Sequence, residues 1–206
     1  VALDVTAPSQ RPQEAVGYVS KGSLQGAVLP SANFEPLPWV LAFEQLGLAL
    51  AHNSLASAQQ VVKLNNPAFT GLSRFLGTDH TVHAFGAMEK PVMMLAMRNK
   101  ELAMPVSLDY FPVAGNIEDI ATNAPSVVAR VQQQVDNGYQ LLGILLVHDA
   151  QAVDLRQQRH NGFTLSAPTA ALYTAVRKQV PFIEVDRPLA PDFAAAEQVL
   201  RQYGKE

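Results

Sequence analysis

The stretch Ile117–Arg156, IEDIATNAPSVVARVQQQVDNGYQLLGILLVHDAQAVDLR, decides the fold. Ile120, Ala124, Val127, Val131, Val135, Gly138, Leu142, Leu146, Ala150 and Val153 follow one another at intervals of 4, 3, 4, 4, 3, 4, 4, 4 and 3. That is the period of an α-helix, and it predicts one rod of about 40 residues, roughly 60 Å at 1.5 Å per residue. Pro125 is expected to bend its first turns, and Gly138 and Gly143 weaken it as an isolated helix. Leu141–Val147 (LLGILLV) is apolar all round, which predicts burial on several sides. A chain of 206 residues cannot easily enclose such a rod alone. A helical bundle shared between subunits can.

Upstream, residues 1–36 carry Pro8, Pro12, Pro30, Pro36, Gly17, Gly22 and Gly26 and read as loop with a short hairpin. From Leu37 the period is helical, with Trp39, Phe43, Leu46 and Leu50 on one face. Asn53-Ser54 reads as a break and a new cap, and Leu55, Ala58, Val61 and Val62 continue a second short helix as far as Asn65-Asn66-Pro67. Residues 67–84 read as loop. A helix over about 86–103 follows, started or kinked at Pro91, with Met88, Val92, Leu95 and Leu102 on its buried side. Downstream of the rod, Pro168 opens a helix with Leu172, Val176 and Val180 inward, and a last helix covers about 191–203. The fold class is mainly α, a long-helix bundle over 37–206 preceded by the loop-rich segment 1–36.

Hydrophobic residues make up 48% of the chain and charged residues 16%, where about a quarter charged is usual. The surplus calls for a large subunit interface. A net charge of −3 offers nothing to nucleic acid or an anionic membrane. The absence of cysteine excludes disulfides, thiolate metal sites and a Cys nucleophile, and is compatible with the cytoplasm. No apolar run approaches the roughly 20 residues of a membrane span. The first residues lack a signal-peptide pattern and an initiator Met, so the chain reads as processed, trimmed or one piece of a longer polypeptide.

Self-sufficient chemistry is scarce. His80 and His83 are three apart beside Asp79 without a further ligand at a metal spacing, and read as surface or interface residues. His148 and Asp149 are helix neighbours that do not face each other, and read as a hydrogen-bonded interface feature rather than a dyad. In VAGNIEDIATNAP (Val113–Pro125), Asn116 can cap a helix whose first turn holds Glu118 and Asp119, where acids suit the positive helix end. Phosphate-binding glycine loops, G-x-S-x-G and H-E-x-x-H do not occur.

Several segments, in order, nevertheless share one likeness. SANFEP (Ser31–Pro36) with the helix after it resembles the G-G-N-F segment of the aromatic amino acid ammonia-lyases, and LSRFL (Leu72–Leu76) is similar to their L-P-P-F-L. RNKELAMPVSLDYFPVAGNIEDIA (Arg98–Ala121) resembles the histidine ammonia-lyase stretch E-N-K-x-L-x-H-P-x-S-V-D-S-x-P-T-S-A-N-Q-E-D-H-V. It matches without gaps at Asn99, Lys100, Leu102, Pro105, Ser107, Asp109, Pro112, Asn116, Glu118 and Asp119. AQAVDLR (Ala150–Arg156) and VPFIEVDRPLAPDF (Val180–Phe193) resemble the family's later helix and its D-R-x-x-x-P-D-I close.

The resemblance implies the C-terminal part of a lyase that removes ammonia from histidine, phenylalanine or tyrosine to leave an aryl-acrylate. It implies a homotetramer with active sites drawn from three subunits, and a methylideneimidazolone electrophile formed from an Ala-Ser-Gly. No Ala-Ser-Gly occurs in this chain, so the electrophile is expected from an N-terminal part of the same enzyme, carried on a separate or cleaved chain. By position, Phe34 would pack against the electrophile and the substrate ring. Glu118 would address the substrate, and Asn116 would order that helix start. Ile117 stands where the family has Gln, which removes a polar contact near the ligand. Glu35 follows the Phe where His, Gln or Met is usual. Ser31-Ala32 replaces G-G, and Val82-His83-Ala84-Phe85 replaces N-S-G-F. Glu118 favours an imidazole and Ile117 a more apolar ring. An aminomutase with the same electrophile, and a non-catalytic scaffold, are the alternatives. Nucleic acid, membrane and metal partners are not expected.

Overall fold

A computed structural model describes residues 36–108, 122–160 and 162–203. Six α-helices occur among them: α1 (Leu37–Leu64), α2 (Pro67–Thr70), α3 (Glu89–Leu102), α4 (Ala124–Arg159), α5 (Ala167–Arg177) and α6 (Ala190–Tyr203), with a single 3-10 turn at Arg74–Leu76. The described residues contain no strand, in keeping with the mainly α reading. None of their helices is long and apolar enough to cross a membrane. The loop and hairpin expected upstream lie outside the described residues apart from Pro36.

The expected break at Asn53-Ser54 is absent, and α1 runs through it for 28 residues. Within the helix the Ser54 hydroxyl finds a local acceptor, donating to the Leu50 carbonyl four residues back at 2.8 Å. The buried face of α1 also differs from the one the apolar period suggests. Val40, Gly47, Ser54, Ser57, Ala58 and Val61 are buried, whereas Trp39 is 45% exposed and Leu46 44%. Small and polar residues let α1 approach α3 and α4 closely, and its large apolar side chains point away.

α4 starts at Ala124, seven residues after the expected start, because Thr122 and Asn123 are not helical. Asn123 sits in the left-handed region (φ 48°). Pro125 stands in the first turn of the helix, where its missing N–H costs nothing, and so marks the start instead of bending the rod. Ile120 and the cap proposed at Asn116 lie outside the described residues. The 36 residues of α4 span roughly 54 Å.

Leu141–Val147 lies at the centre, as its composition predicts. Leu141, Ile144 and Leu145 pack with Ala58, Val61, Val92 and Ala96 of α1 and α3. Leu146, Val147 and Ala150 pack with Leu76, Phe85, Val176, Val180, Ile183 and Ala196 on the other side. Gly143 brings α6 against the rod, since a Cβ there would lie 2.9 Å from the Phe193 carbonyl oxygen and 3.0 Å from the Glu197 nitrogen. α3 begins at Glu89, close to Pro91, and buries Val92, Ala96 and Asn99.

His148 is not an interface residue. It is fully buried within the chain, its ring 4.0 Å from that of Phe85 and 6.4 Å from that of Phe193 (centroid distances). Its Nδ1 meets the Ile144 carbonyl at 2.8 Å, which fixes the proton on Nδ1. Asp149 points the other way, into an open apolar cavity of about 570 Å³ between α4 and α5. One side of Asp149 meets solvent, but the protein around the rest pushes its carboxyl up to about 6.

Candidate functional site

Phe34, Glu35, Asn116, Ile117 and Glu118 all lie outside the described residues, so their mutual geometry is not part of the structure. What the structure shows is the frame around the stretch that carries three of them. α3 ends at Leu102 and α4 begins at Ala124. Between them, Val106 and Ser107 are held by Glu44 of α1. One carboxylate oxygen accepts the Val106 and Ser107 N–H groups at 2.8 and 3.0 Å, and the other accepts the Ser107 hydroxyl at 2.9 Å. The Val106 carbonyl in turn accepts the Asn123 side-chain amide at 2.7 Å. Residues on both sides of the 109–121 stretch therefore meet at one place. Arg130 completes the frame by donating to the Leu102 and Glu101 carbonyls at 3.0 and 2.7 Å, a cation at the carbonyl end of α3.

Glu44 stays ionised there. Burial works to raise its pKa, but the Val106 and Ser107 N–H groups, the Ser107 hydroxyl and the Arg130 charge outweigh it and hold the carboxyl below its usual range.

A buried polar network stands directly behind this frame. Asn99 donates to the Ser54 hydroxyl oxygen at 2.7 Å and to the Gln134 carbonyl at 3.1 Å, and its own side-chain oxygen accepts from Asn137 at 2.9 Å. Gln134 donates to the Gly47 and Asn99 carbonyls at 2.9 and 2.8 Å. A Cβ on Gly47 would lie 2.9 Å from the Gln134 side-chain oxygen, so glycine here lets Gln134 reach the Gly47 carbonyl without shifting. α1, α3 and α4 are thereby fixed in register. The positions that match the lyase pattern acquire physical roles here: Asn99 ties three helices together, and Ser107 is the hydroxyl that Glu44 captures.

At the other side of the molecule, Asp186 accepts three successive backbone N–H groups, from Val82, His83 and Ala84, at 2.7, 2.9 and 2.8 Å. The His83, Val82 and Ala84 donors hold its carboxyl below the usual range. This clamps the turn that replaces N-S-G-F, and it strains it. Ala84 has φ 43°, in the left-handed region where the family pattern has Gly. Phe75 and Leu76, which pack under the turn, are also left-handed, each at φ 55°. Ala84→Gly is expected to raise stability by about 0.5–1 kcal/mol, the relief of about 1–2 kcal/mol of strain less the added entropy of the unfolded chain. Thermal unfolding checks it, and a lower melting temperature would remove strain as the explanation.

The remaining sequence candidates do not assemble a second site. His80 lies 3.7 Å from Glu184, both well exposed, and among the described residues no group of three metal-ligating side chains exists. Glu44 and Asp186 entered the sequence reading only as parts of resembling segments, and Arg130 and Gln134 were not singled out in it. Their partners are main-chain groups far away in sequence, for which residue spacing carries no signal.

A family model described as aromatic amino acid lyase matches residues 16–178. A curated histidine ammonia-lyase of Fusobacterium nucleatum is 30% identical over 176 residues, covering 84% of this chain and 34% of that one. Among solved structures, the ergothioneine-degrading enzyme ergothionase of Treponema denticola superimposes with a TM-score of 0.79 at 34% identity, over 87% of this chain and 35% of that one. The histidine ammonia-lyase of Trypanosoma cruzi also superimposes with a TM-score of 0.79, over 92% of this chain and 36% of that one, and at 21% identity it speaks for the fold alone. The chain thus spans about a third of the length of the curated relatives it matches.

Proposed function

Because the chain belongs to the aromatic amino acid lyase family, we propose that it forms the C-terminal part of an ammonia-lyase acting on an aromatic α-amino acid with a histidine-like ring. The observation that carries this is the gapless match from Arg98 to Ala121, whose described positions Asn99 and Ser107 build the frame beside the Asn116–Glu118 stretch. Elimination breaks the Cα–N bond and a Cβ–H bond, forms the C=C bond, and releases ammonium and an aryl-acrylate. In this reading the Glu118 carboxylate accepts a hydrogen bond or proton from the substrate ring. Asn116, Ile117 and Glu35 complete the substrate contacts and shape the ring preference, and Phe34 packs on the ring. The methylideneimidazolone would supply the electrophile, and with no Ala-Ser-Gly in this sequence it would have to come from another part of the protein.

The outward faces support assembly into a homotetramer built on the bundle 37–206. Leu41, Leu48 and Leu55, seven residues apart on α1, are 41%, 49% and 46% exposed. An apolar groove of about 540 Å³ lies between this stripe and α3, and another of about 1010 Å³ lies between α3, α4 and α6. Such a stripe is what a neighbouring helix covers. A cytoplasmic location suits the cysteine-free composition.

The complete protein, incubated with histidine, phenylalanine, tyrosine and ergothioneine, tests the function. Aryl-acrylate absorbance is expected, strongest from an imidazole-bearing substrate, and Glu118→Gln is expected to reduce it. A β-amino acid beside the acrylate would assign an aminomutase. No product from any of the four would overturn the enzymatic reading and leave a scaffold.

A further inference from the structure

We propose that the main chain of Val82–Ala84 is a receptor for one carboxylate, that Asp186 is its tethered occupant, and that a free carboxylate takes the same seat when the tether is cut. Three successive N–H groups converge there. Asp186 Oδ2 accepts from Val82 and His83 at 2.7 and 2.9 Å, and Oδ1 accepts from Ala84 at 2.8 Å. Successive N–H groups turned to one side, in a stretch that includes a left-handed residue, form an anion-binding concavity. Ala84 is that residue, at φ 43°. Main-chain donors carry the charge, and among the described side chains only His83 adds to them.

The seat is built without the Asp186 side chain. Gln151 of α4 accepts the Ile183 N–H at 3.0 Å and donates to the Ile183 and Leu76 carbonyls at 3.0 and 3.3 Å. The Thr78 hydroxyl donates to the Glu184 carbonyl at 2.6 Å. These bonds fasten residues 183 and 184 beside the turn before Asp186 reaches into it. On the inner side, the Phe85 N–H donates to the Phe75 carbonyl at 3.2 Å and the Gly86 N–H to the His83 carbonyl at 2.8 Å. Every N–H from Val82 to Gly86 is thus committed, three outward to the carboxylate and two inward to the chain. Phe85, the next residue after the seat, is fully buried, its ring 4.0 Å from that of His148. Removing the Asp186 carboxylate therefore empties the concavity and leaves its walls fastened.

The seat also faces solvent, since Val82 and Asp186 are both exposed. A small monocarboxylate can enter, and its two oxygens can divide the three donors as those of Asp186 do. Chloride offers a single centre and cannot. In the parent chain the tether keeps the resident carboxylate at a high effective concentration, so an added one displaces nothing.

Thermal unfolding and hydrogen exchange of the complete protein test this, with sodium formate compared against sodium chloride at equal ionic strength. Asp186→Ala is expected to melt below the parent in chloride. In formate it should recover at least half of that loss, beyond any salt difference that the parent shows. Amide exchange at Val82–Ala84 should quicken on the order of tenfold in Asp186→Ala and slow again with formate. Asp186→Asn fills the seat with an uncharged group, so it should be destabilised without responding to formate.

If Asp186→Ala gains no more from formate than Asp186→Asn does, or if it melts with the parent in chloride, the proposal is overturned. If Asp186→Ala does not fold, the same comparison is made in the Ala84→Gly background, where the left-handed turn carries less strain. Absence of a formate response there overturns the proposal equally.

Discussion

Asn99→Ala is expected to lower the stability of the protein by about 3 kcal/mol, on the order of 6–12 °C in melting temperature for a chain of this size. Asn99 is 1% exposed and makes three side-chain hydrogen bonds to three different residues. Truncation leaves the Asn137 amide facing Asn99's former oxygen, leaves the Ser54 hydroxyl without its donor, and opens a cavity where three helices meet. A buried group that loses its partner carries its full desolvation cost, about 1–3 kcal/mol, and the cavity adds to it. Asn99→Leu separates the two contributions by restoring volume without the bonds. It should recover little of the loss. A leucine variant as stable as the parent would show that the network contributes register but no stability, as replacing buried polar groups by well-packed apolar ones sometimes does. Gln134→Ala removes other bonds than Asn99→Ala does, since each side chain donates to the other's main-chain carbonyl, so any departure from additivity reports the space the two side chains share.

The same network explains where sequence reading succeeded and where it chose the wrong face. The apolar period of α4 and the seven-residue core Leu141–Val147 were legible, because a helix buried on all sides must be apolar on all sides. In α1 the period pointed to Trp39, Phe43, Leu46 and Leu50, yet the chain buries Val40, Gly47, Ser54 and Ala58 instead. Two faces competed for burial there, and hydrophobicity marks the one left for other surfaces, while the intrachain contact is made by small residues and hydrogen bonds. Ser54 looked like a cap because an isolated serine favours helix ends. Its hydroxyl has a local acceptor in Leu50 and a distant donor in Asn99, and only the fold reveals the second.

The start of α4 was misplaced for a related reason. Asn116 with Glu118 and Asp119 has the chemistry of a helix start, but so does Asn123-Ala124-Pro125, and proline in the first turn marks the helix start at Ala124. The candidate site residues Phe34, Glu35, Asn116, Ile117 and Glu118 lie outside the described residues, so only its surroundings bear on what the sequence revealed. Resemblance picked out Asn99 and Ser107 there, but not their partners, since Glu44 reaches Val106 and Ser107 across 62 and 63 residues of sequence, largely through backbone groups that every residue possesses.

His148 should make the protein acid-sensitive between pH 6.5 and about 4, and the sign follows from its surroundings. Burial between Phe85 and Phe193 lowers its pKa from 6.5 to about 4, the bond from Nδ1 to the Ile144 carbonyl opposing the shift only in part. In the unfolded chain the imidazole binds its proton near pH 6.5, whereas in the folded chain it stays neutral until about 4. The unfolded state thus binds more protons across this window, and stability falls as pH falls through it. Stabilisation is complete above pH 6.5, and about 3 kcal/mol is lost on reaching pH 4. Asp149 acts in the opposite direction. Its carboxyl, raised to about 6, takes up a proton in the folded state first and adds stability as pH falls below 6. Its contact with solvent screens that effect, so it offsets only part of the loss. Melting temperatures measured from pH 7 to pH 4 should therefore fall. His148→Leu, which keeps the site apolar and removes the titrating ring, should flatten the decline. Asp149→Asn should steepen it. An unchanged slope in His148→Leu would mean that other groups carry the acid response, and that the buried imidazole gains its proton without unfolding the core around it.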